Sequence, residues 1–402
     1  MKKSLIAVAV AGLFAAPVAM AEVTISGAIN LGVEIAKTSA GTAPGSKSLT
    51  TTGLHPTYTH MDIESVDDIG GGNKVIFHYQ FDISGTSSAN PGSAGGSVGN
   101  RNSFLGVAGG WGAFKMGTNE NVYERFMYTA DPIDGASGPG GNLNLLGKPG
   151  ASSVFEVGQG KCSPTKGCVG FYRRSEQTIW YESPNFSGFS FEIDRTLSAF
   201  KQTYGIDPRI TSIGGKFQPE GGPFYVDLAY ERHDDMFGLS AIAASFAAPA
   251  GAPTSSKDTG IQIGGGYMIG DLGLHARYEQ LKYEETGSAL TVSEYKRNAI
   301  WFAAKYNLPS GYVGAELGIA ADGKADGAKV ANTGAKMFGV GYFHNLSKQS
   351  QLQFVYGRTD NKDSATYGHS GVPGNGPGLV PGDGVSPGTN SQVFVVSIKH
   401  TF

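Results

Sequence analysis

Period-two alternation of apolar and polar side chains, recurring along the whole chain, limits what this sequence can form more than any other feature. From Glu22 it reads EVTISGAINLGVEIAK, with Val23, Ile25, Ile29, Leu31, Val33 and Ile35 on one face and Thr24, Ser26, Asn30 and Glu34 on the other. Lys74 to Ile83 repeats the pattern, setting Val75, Phe77, Tyr79, Phe81 and Ile83 against Lys74, His78, Gln80 and Asp82. Further alternating segments fall near 58–66, 100–108, 112–118, 173–182, 187–196, 209–218, 223–233 and 259–269. The rest lie near 272–285, 294–307, 311–321, 333–346, 350–359 and 391–402, giving sixteen in all. Most run 9 to 14 residues, the length of a tilted strand that crosses a bilayer.

The connections between these segments alternate in length. Tight ones occur at Asp67 to Gly72, Gly109-Gly110, Ser183-Pro184-Asn185, Pro219 to Gly222, Gly270-Asp271, Pro309 to Gly311 and Ser347 to Gln349. Long ones rich in Gly, Ser, Ala and Pro occupy 38–57, 85–99, 119–172, 234–258 and 360–390, with shorter members near 197–208, 286–293 and 322–332. A soluble sandwich has no reason to gather its long loops on one side. An outer-membrane barrel has short periplasmic turns and long extracellular loops, and closure removes its sheet edges. The pattern predicts an all-β fold, a 16-stranded antiparallel transmembrane β-barrel. Its polar face would line water, because a barrel of sixteen strands is too wide for side chains to fill.

The amino terminus agrees with export. Lys2 and Lys3, an apolar run from Leu5 to Ala16, and Ala19-Met20-Ala21 have the form of a signal peptide cleaved after Ala21. The expected organisation is a leader over 1–21 and one barrel domain over 22–402 in the outer membrane of a Gram-negative bacterium. Beyond Ala21 no apolar run reaches the length of a membrane-spanning helix. The whole chain carries 31 basic and 34 acidic residues, and no Lys/Arg run follows residue 3, which excludes a nucleic-acid partner on electrostatic grounds.

Five stretches resemble the general, non-specific porins of Gram-negative bacteria in the form common among β-proteobacteria. Val66-Asp67-Asp68-Ile69-Gly70-Gly71-Gly72-Asn73-Lys74 is similar to that family's acidic turn and glycine triplet. Asn100 to Val107 resembles its N-R-x-A/S-F-V-G-L strand, and Arg174 to Phe189 its R-x-x-N-S-V-x-Y-x-S-P-x-F-x-G-F segment. Asn345 to Lys348 and Val396 to Phe402 resemble its Y-x-L-S-K turn and V-G-L-R-H-x-F terminus. The resemblance implies a homotrimer that passes ions and small hydrophilic solutes passively, with no enzymatic activity and no cofactor. It implies a third loop, 119–172, folded into the pore so that its acids face basic groups on the wall. It also makes Phe402, with Ile398 and His400 on the same face, a signal for the outer-membrane assembly machinery. Other expected partners are outer-membrane lipid and the solutes themselves.

On this reading the constriction combines Arg101 and Arg174 of the wall with Glu124, Asp131 and Asp134 of the loop. A solvated-loop role for those acids is the plainer alternative. The wall departs from the family pattern at His60-Met61-Asp62-Ile63-Glu64, where His60 stands in the place of an arginine and Glu64 in that of a lysine, with Asp62 between them. The loss of basic groups, together with an excess of acids over bases at inward positions, predicts weak cation selectivity.

Cys162 and Cys168 enclose Ser163 to Gly167, and an oxidising periplasm makes a disulfide the default for such a pair, metal ligation being the alternative. The eight histidines show no metal-ligand spacing, and no nucleophile elbow or phosphate-binding loop occurs. Aromatics near strand ends, among them Tyr123, Trp180, Tyr181, Phe189, Phe224, Tyr267, Trp301, Tyr306, Tyr342 and Phe402, are candidates for the interfacial girdles. Two other functions fit the same pattern: a substrate-specific channel with a binding site on the third loop, and a surface adhesin or structural barrel that displays its loops.

Overall fold

The computed structural model describes residues 22–42, 46–56, 58–83, 98–133, 140–150, 170–197, 208–236, 238–239, 255–286, 290–368 and 387–402. The expected leader, Asp134 and the Cys162–Cys168 pair lie outside the described residues.

The strands are β1 (Glu22–Thr38), β2 (Leu49–Pro56), β3 (His60–Gly70), β4 (Asn73–Ile83), β5 (Val98–Gly109), β6 (Gly112–Glu120) and β7 (Arg174–Glu182). They continue with β8 (Phe189–Thr196), β9 (Arg209–Phe217), β10 (Phe224–Asp234), β11 (Ser255–Ile269), β12 (Leu272–Thr286) and β13 (Glu294–Leu308). The last are β14 (Gly311–Ala320), β15 (Lys324–Ala325), β16 (Ala328–Lys329), β17 (Ala335–Asn345), β18 (Ser350–Asn361) and β19 (Ser391–Thr401). Every pairing is antiparallel, and β1 closes on β19 from Ala28 opposite Thr401 to Thr38 opposite Ser391. Backbone bonds in both directions between Gly27 and Phe402 extend the seam to the last residue.

The expected sixteen-strand barrel is present, with additions in three of the long connections. Segment 38–57 contains β2, which pairs with the second half of β1 while β3 pairs with the first half, so the two share one position in the wall. Its run of three threonines reads as loop by polarity, yet β-branched residues suit a strand, and β2 covers an otherwise open edge of β1. Segment 322–332 forms the small β15–β16 hairpin, whose first strand continues the edge of β13. Segment 119–172 holds the short helix α1 (Val122–Tyr128) and a 3-10 turn at Asn142–Asn144.

Alternation in the sequence becomes two faces of one wall. Val23 and Ile25 stand more than 60% exposed on the outside, whereas Asn30 and Glu34 on the same strand are 1% exposed inside. Phe189, Phe224, Tyr267, Tyr306, Tyr342 and Phe402 are outward and exposed, as an aromatic girdle requires. Trp180, Trp301 and Tyr123 are not part of it. All three are almost fully buried inside the barrel, Trp180 and Trp301 because their positions share the parity of the polar face and Tyr123 because it lies on the helix of the docked loop.

Candidate functional site

The interior divides into a wall covered by the third loop and a wall left facing water. Residues 121–133, 140–150 and 170–173 pack across β8 to β18, and the contacts begin at α1. Its first amides are not satisfied by the side chain of the N-cap residue Asn121; Val122 donates to Asp194 Oδ2 at 2.7 Å and Tyr123 to Ser212 Oγ at 2.9 Å. Asn121 donates to Glu231 Oε2 at 3.1 Å, and Gln262 Nε2 donates to the Tyr123 carbonyl at 2.6 Å.

The firmest anchor is an ion pair in the adjacent strands β12 and β13. Arg297 Nη1 meets Glu279 Oε1 at 2.5 Å, both side chains being fully buried. Glu279 also accepts from the Gly147 amide and the Tyr123 hydroxyl, and Arg297 donates to the carbonyls of Leu145 and Lys148. One pair therefore holds both the helical start of the loop and its return segment. Around it Val122, Tyr123, Met127, Leu143, Leu145 and Phe171 form an apolar core against Leu281, Tyr283, Trp301 and Met337 of the wall.

Glycines on the inner wall make the approach possible. A Cβ at Gly339 of β17 would lie 2.6 Å from the Gly140 carbonyl oxygen and 2.7 Å from Ile133 Cδ1. One at Gly214 of β9 would lie 2.8 Å from the Phe126 ring and the Val122 methyl. Small residues here let a loop lie flat on a sheet, the situation in which glycine in a strand is tolerated.

The opposite side of the lumen is formed by β3 to β7. A bulge sets Gln80 of β4 against two residues of β5, Arg101 and Asn102, and turns both side chains inward. Arg101 donates to Gln80 at 2.9 Å and pairs with Asp82 at 2.7 Å, with Tyr58 lying 5.2 Å from its guanidinium carbon. Asp62 pairs with His78 at 2.8 Å and His60 at 3.2 Å, and Gln80 Nε2 donates to it at 2.8 Å. Glu64 is half exposed at the edge of this cluster. Below lies an aromatic group, with Phe104 edge-on to both His78 and Trp180, and Lys115 over Phe104 and bound to Glu182 at 2.7 Å.

The two sides meet at Arg174. It forms an ion pair with Glu120 at the mouth of the loop and donates to Asn102 at 3.2 Å. Glu124, on the first turn of α1, accepts the Tyr128 hydroxyl. Burial, followed by the neighbouring Glu120 carboxylate, pushes its acid up to about 7, against the opposing pull of Arg174 and the Tyr128 bond.

Of the residues picked out from sequence, Arg174 and Glu124 thus lie in one electrostatic cluster, and His60, Asp62 and Glu64 in another. Arg101 is held by Asp82 and Gln80. Asp131 accepts the amides of Ile133 and Asn142 and shapes the loop from within. Ile398, His400 and Phe402 share the outward face of β19 and its end. Sequence reasoning passed over Arg297 and Arg125, the latter paired with Glu192. Arg297 had a readable signal, since the parity that turns Lys305 inward on the same strand turns Arg297 inward too.

Comparison with known proteins agrees with this architecture. The profile of the Gram-negative porins matches residues 7–364. The chain is 27% identical to outer membrane porin protein 32 of Delftia acidovorans, with both chains covered in full. It is 29% identical to the major outer membrane protein P.IB of Neisseria meningitidis serogroup B over 59% of its length and 61% of the relative's. Among solved structures, an anion-selective porin from Comamonas acidovorans superposes with a TM-score of 0.70 at 20% identity, covering 95% of this chain and all of that one. OmpT of Vibrio cholerae has the same fold at a TM-score of 0.59 and 11% identity, with 95% and 98% covered. With a closed barrel, short turns at one end and long loops at the other, the chain belongs to the Gram-negative porin family and is a diffusion channel of the outer membrane.

Proposed function

We propose that this channel passes ions and small hydrophilic solutes through the gap between the docked third loop and the β3–β7 wall, as a homotrimer and without catalysis. The observation that carries the proposal is the one-sided docking of the loop. Its contacts run to β8–β18, so the passage is bounded by Arg174 and Glu120 on one flank, with Glu124 buried behind them, and by Arg101, Asp62, Glu64 and His60 on the other. Fixed charges in such a passage act on a permeating ion far more strongly than at an open surface.

Selectivity on this reading is a local matter. Acids counted from sequence as inward, among them Asp194, Asp227, Glu231, Glu279 and Glu316, are buried under the loop and do not face the passage. Elsewhere on the inner wall and at the mouth of the loop, Asp82 is matched by Arg101, Glu120 by Arg174, Glu182 by Lys115 and Glu192 by Arg125. Glu64, half exposed beside the Asp62–histidine cluster, tilts the balance to weak cation preference. The Comamonas acidovorans relative, described as anion-selective, makes the opposite sign the natural rival. Stable current steps in threes and a cation-sense reversal potential under a tenfold KCl gradient are expected. Arg101→Glu is expected to raise the cation-to-anion permeability ratio, and an unchanged ratio removes Arg101 from the constriction.

A substrate-specific channel is the second reading, favoured by the aromatic group of Phe104, Trp180 and Lys115 on the inner face of β5 to β7. It predicts saturable block by a solute with a flat apolar face, where a general pore gives none. Phe402, outward beside Ile398 and His400, is proposed as the mark read by the assembly machinery; its deletion should lower the yield of folded barrel.

A further inference from the structure

The inner wall changes character one step below the docked loop. Phe126 and Val122 lie over Gly214 of β9, and Pro132 lies over Gly314 of β14. The next inward positions towards the short turns are Lys216 on β9 and Tyr312 on β14, both of them half-buried rather than covered. Between them Tyr225 of β10, Met268 of β11, His275 of β12 and Lys305 of β13 carry the same inner face. Met268 is 40% exposed there, although its parity is that of the lumen.

Glycines let these side chains lie along the wall. A Cβ at Gly266 would fall 2.3 Å from His275 Nδ1 and 2.5 Å from the Tyr225 ring, so both rings lean across a strand that has no side chain to lift them. The Tyr225 hydroxyl meets His275 Nδ1 at 3.2 Å and fixes the imidazole in this position. A Cβ at Gly273 would fall 2.9 Å from Met268 Sδ and 3.1 Å from His275 Nε2. Tyr312 stacks on the fully buried Phe343 with ring centres 4.4 Å apart. The result is a low surface of ring and thioether.

The two lysines on this surface rest on rings, and among the described residues neither forms an ion pair. The Lys216 ammonium stands 4.9 Å from the centre of the Tyr225 ring, and that of Lys305 stands 4.0 Å from the centre of Tyr312. The facing carboxylates have other partners. Asp227, opposite Lys216, accepts from both terminal nitrogens of Arg277 at 2.7 and 2.9 Å. Glu316, diagonal to Lys305, accepts the Trp301 indole at 2.5 Å. From β9 to β19, no inward strand residue on the turn side of these two acids is a carboxylate. A half-buried cation whose partner is a ring retains its charge for a solute.

We propose that this strip is a binding site for planar aromatic carboxylates on the periplasmic side of the constriction. Lys305 lies opposite Gly273 and His275 opposite Ala303, so the two side chains are diagonal neighbours on one face. A carboxylate on Lys305 sets an attached ring against His275 and Met268, where offset stacking and sulfur–ring contact favour a flat π-system over an aliphatic chain. Lys216 bounds the strip at its other end and adds to the field. The loop ends above this level, so the lumen is wider here. A bound ring therefore leaves the passage open, and the charges at the narrowest point still set ion selectivity. The inference rests on the diffusion-channel reading only for access of the solute.

The test uses the folded, heat-modifiable full barrel in detergent and ligand-observed NMR. Benzoate is the probe, and cyclohexanecarboxylate, of equal charge but without a flat ring, is the comparison. Binding read in this way does not depend on current, so the KCl conductance of the same preparation separates failure of the strip from failure of the open channel. Wild type should hold benzoate roughly fivefold more tightly than cyclohexanecarboxylate. K216Q/K305Q should weaken benzoate by about tenfold, equivalent to about 1.4 kcal/mol, and keep its conductance steps. H275A should lose the preference for the flat ring, and K115Q, in the aromatic group of β5 to β7, should bind as wild type does. Equal retention of the two acids by wild type, or retention of neither, overturns the inference even if the variants fail to fold. Undiminished benzoate binding in folded K216Q/K305Q also overturns it, as does loss of binding in K115Q, which would move the site to the opposite wall.

Discussion

Truncation of Arg297 gives a direct measure of what holds the third loop in the lumen. The guanidinium is buried, meets Glu279 at 2.5 Å, and reaches the Leu145 carbonyl at 3.0 Å and the Lys148 carbonyl at 2.7 Å. Arg297→Met removes these bonds and leaves Glu279 as a buried carboxylate supported, among the described residues, by the Gly147 amide and the Tyr123 hydroxyl. Breaking a buried pair in this way costs about 3–5 kcal/mol. If the cost falls on docking of the loop, its local opening constant rises by roughly 10² to more than 10³. The Gly147 amide reports on this locally, and its hydrogen exchange should accelerate by at least about 100-fold. Larger, noisier conductance levels should appear in the same variant. Glu279→Met alone should act in the same direction, and the double variant should cost at least about 2 kcal/mol less than the two singles added together. Unchanged exchange at Gly147 with unchanged conductance would refute the anchor, and strict additivity would show that the pair does not act as a unit.

Other expectations follow from neighbouring contacts. Gly339→Val sets a side chain where a Cβ alone would lie 2.6 Å from the Gly140 carbonyl oxygen; the loop should lift from β17 and the mean conductance should rise. Glu124, with its acid at about 7, is neutral below that pH and ionised above it, so cation preference should increase from pH 6 to 8 and Glu124→Gln should abolish the increase. Because the fold raises this group above its ordinary value of 4.5, stability should decline as pH rises from there towards 7, and the Gln variant should lack that decline. Asp322, on the loop after β14, is held down to about 2 despite partial desolvation, chiefly by bonds from Lys362 and Lys329. Its contribution should be complete above the ordinary aspartate range and disappear as pH falls towards 2. A thermal melt of Asp322→Asn should show a loss of only about 1 kcal/mol, since both lysines are more than half exposed to screening solvent.

Most of the wall was legible because its signal is redundant. Each strand repeats an apolar–polar alternation, and a one-residue slip would expose the polar face to lipid, so parity and register are strongly specified. The same parity placed Arg101, Asp62 and Glu64 inward. What it could not convey was depth of burial. Asp227 and Asp82 read alike as inward acids, yet Asp227 is locked to Arg277 beneath the loop while Asp82 faces the passage with Arg101. Trp301 and Tyr306 likewise both look like girdle aromatics near a strand end. Only the odd–even count along β13 separates the buried indole, which donates to Glu316 at 2.5 Å, from the lipid-facing phenol. The helix α1 escaped notice because seven residues carry too little periodicity to stand out, and its stability comes from Asp194 and Ser212 on remote strands.

The inner wall thus serves two purposes that a summed charge cannot separate. On β8 to β17 its acids, arginines and glycines form a receptor for the chain's own loop: carboxylates accept loop amides, Arg297 caps loop carbonyls, and glycines remove the side chains that would hold the loop away. On β3 to β7 similar residue types face the passage, and there their net balance matters. An acid placed under the loop is paired by hydrogen bonds whose loss is costly, so substitutions at Asp194 or Glu279 should register first in loop order and conductance. An acid at Glu64 makes few such bonds, so its replacement should alter the reversal potential while leaving the barrel intact. Two substitutions with the same change in formal charge are therefore expected to produce different phenotypes, and the partner of each carboxylate decides which.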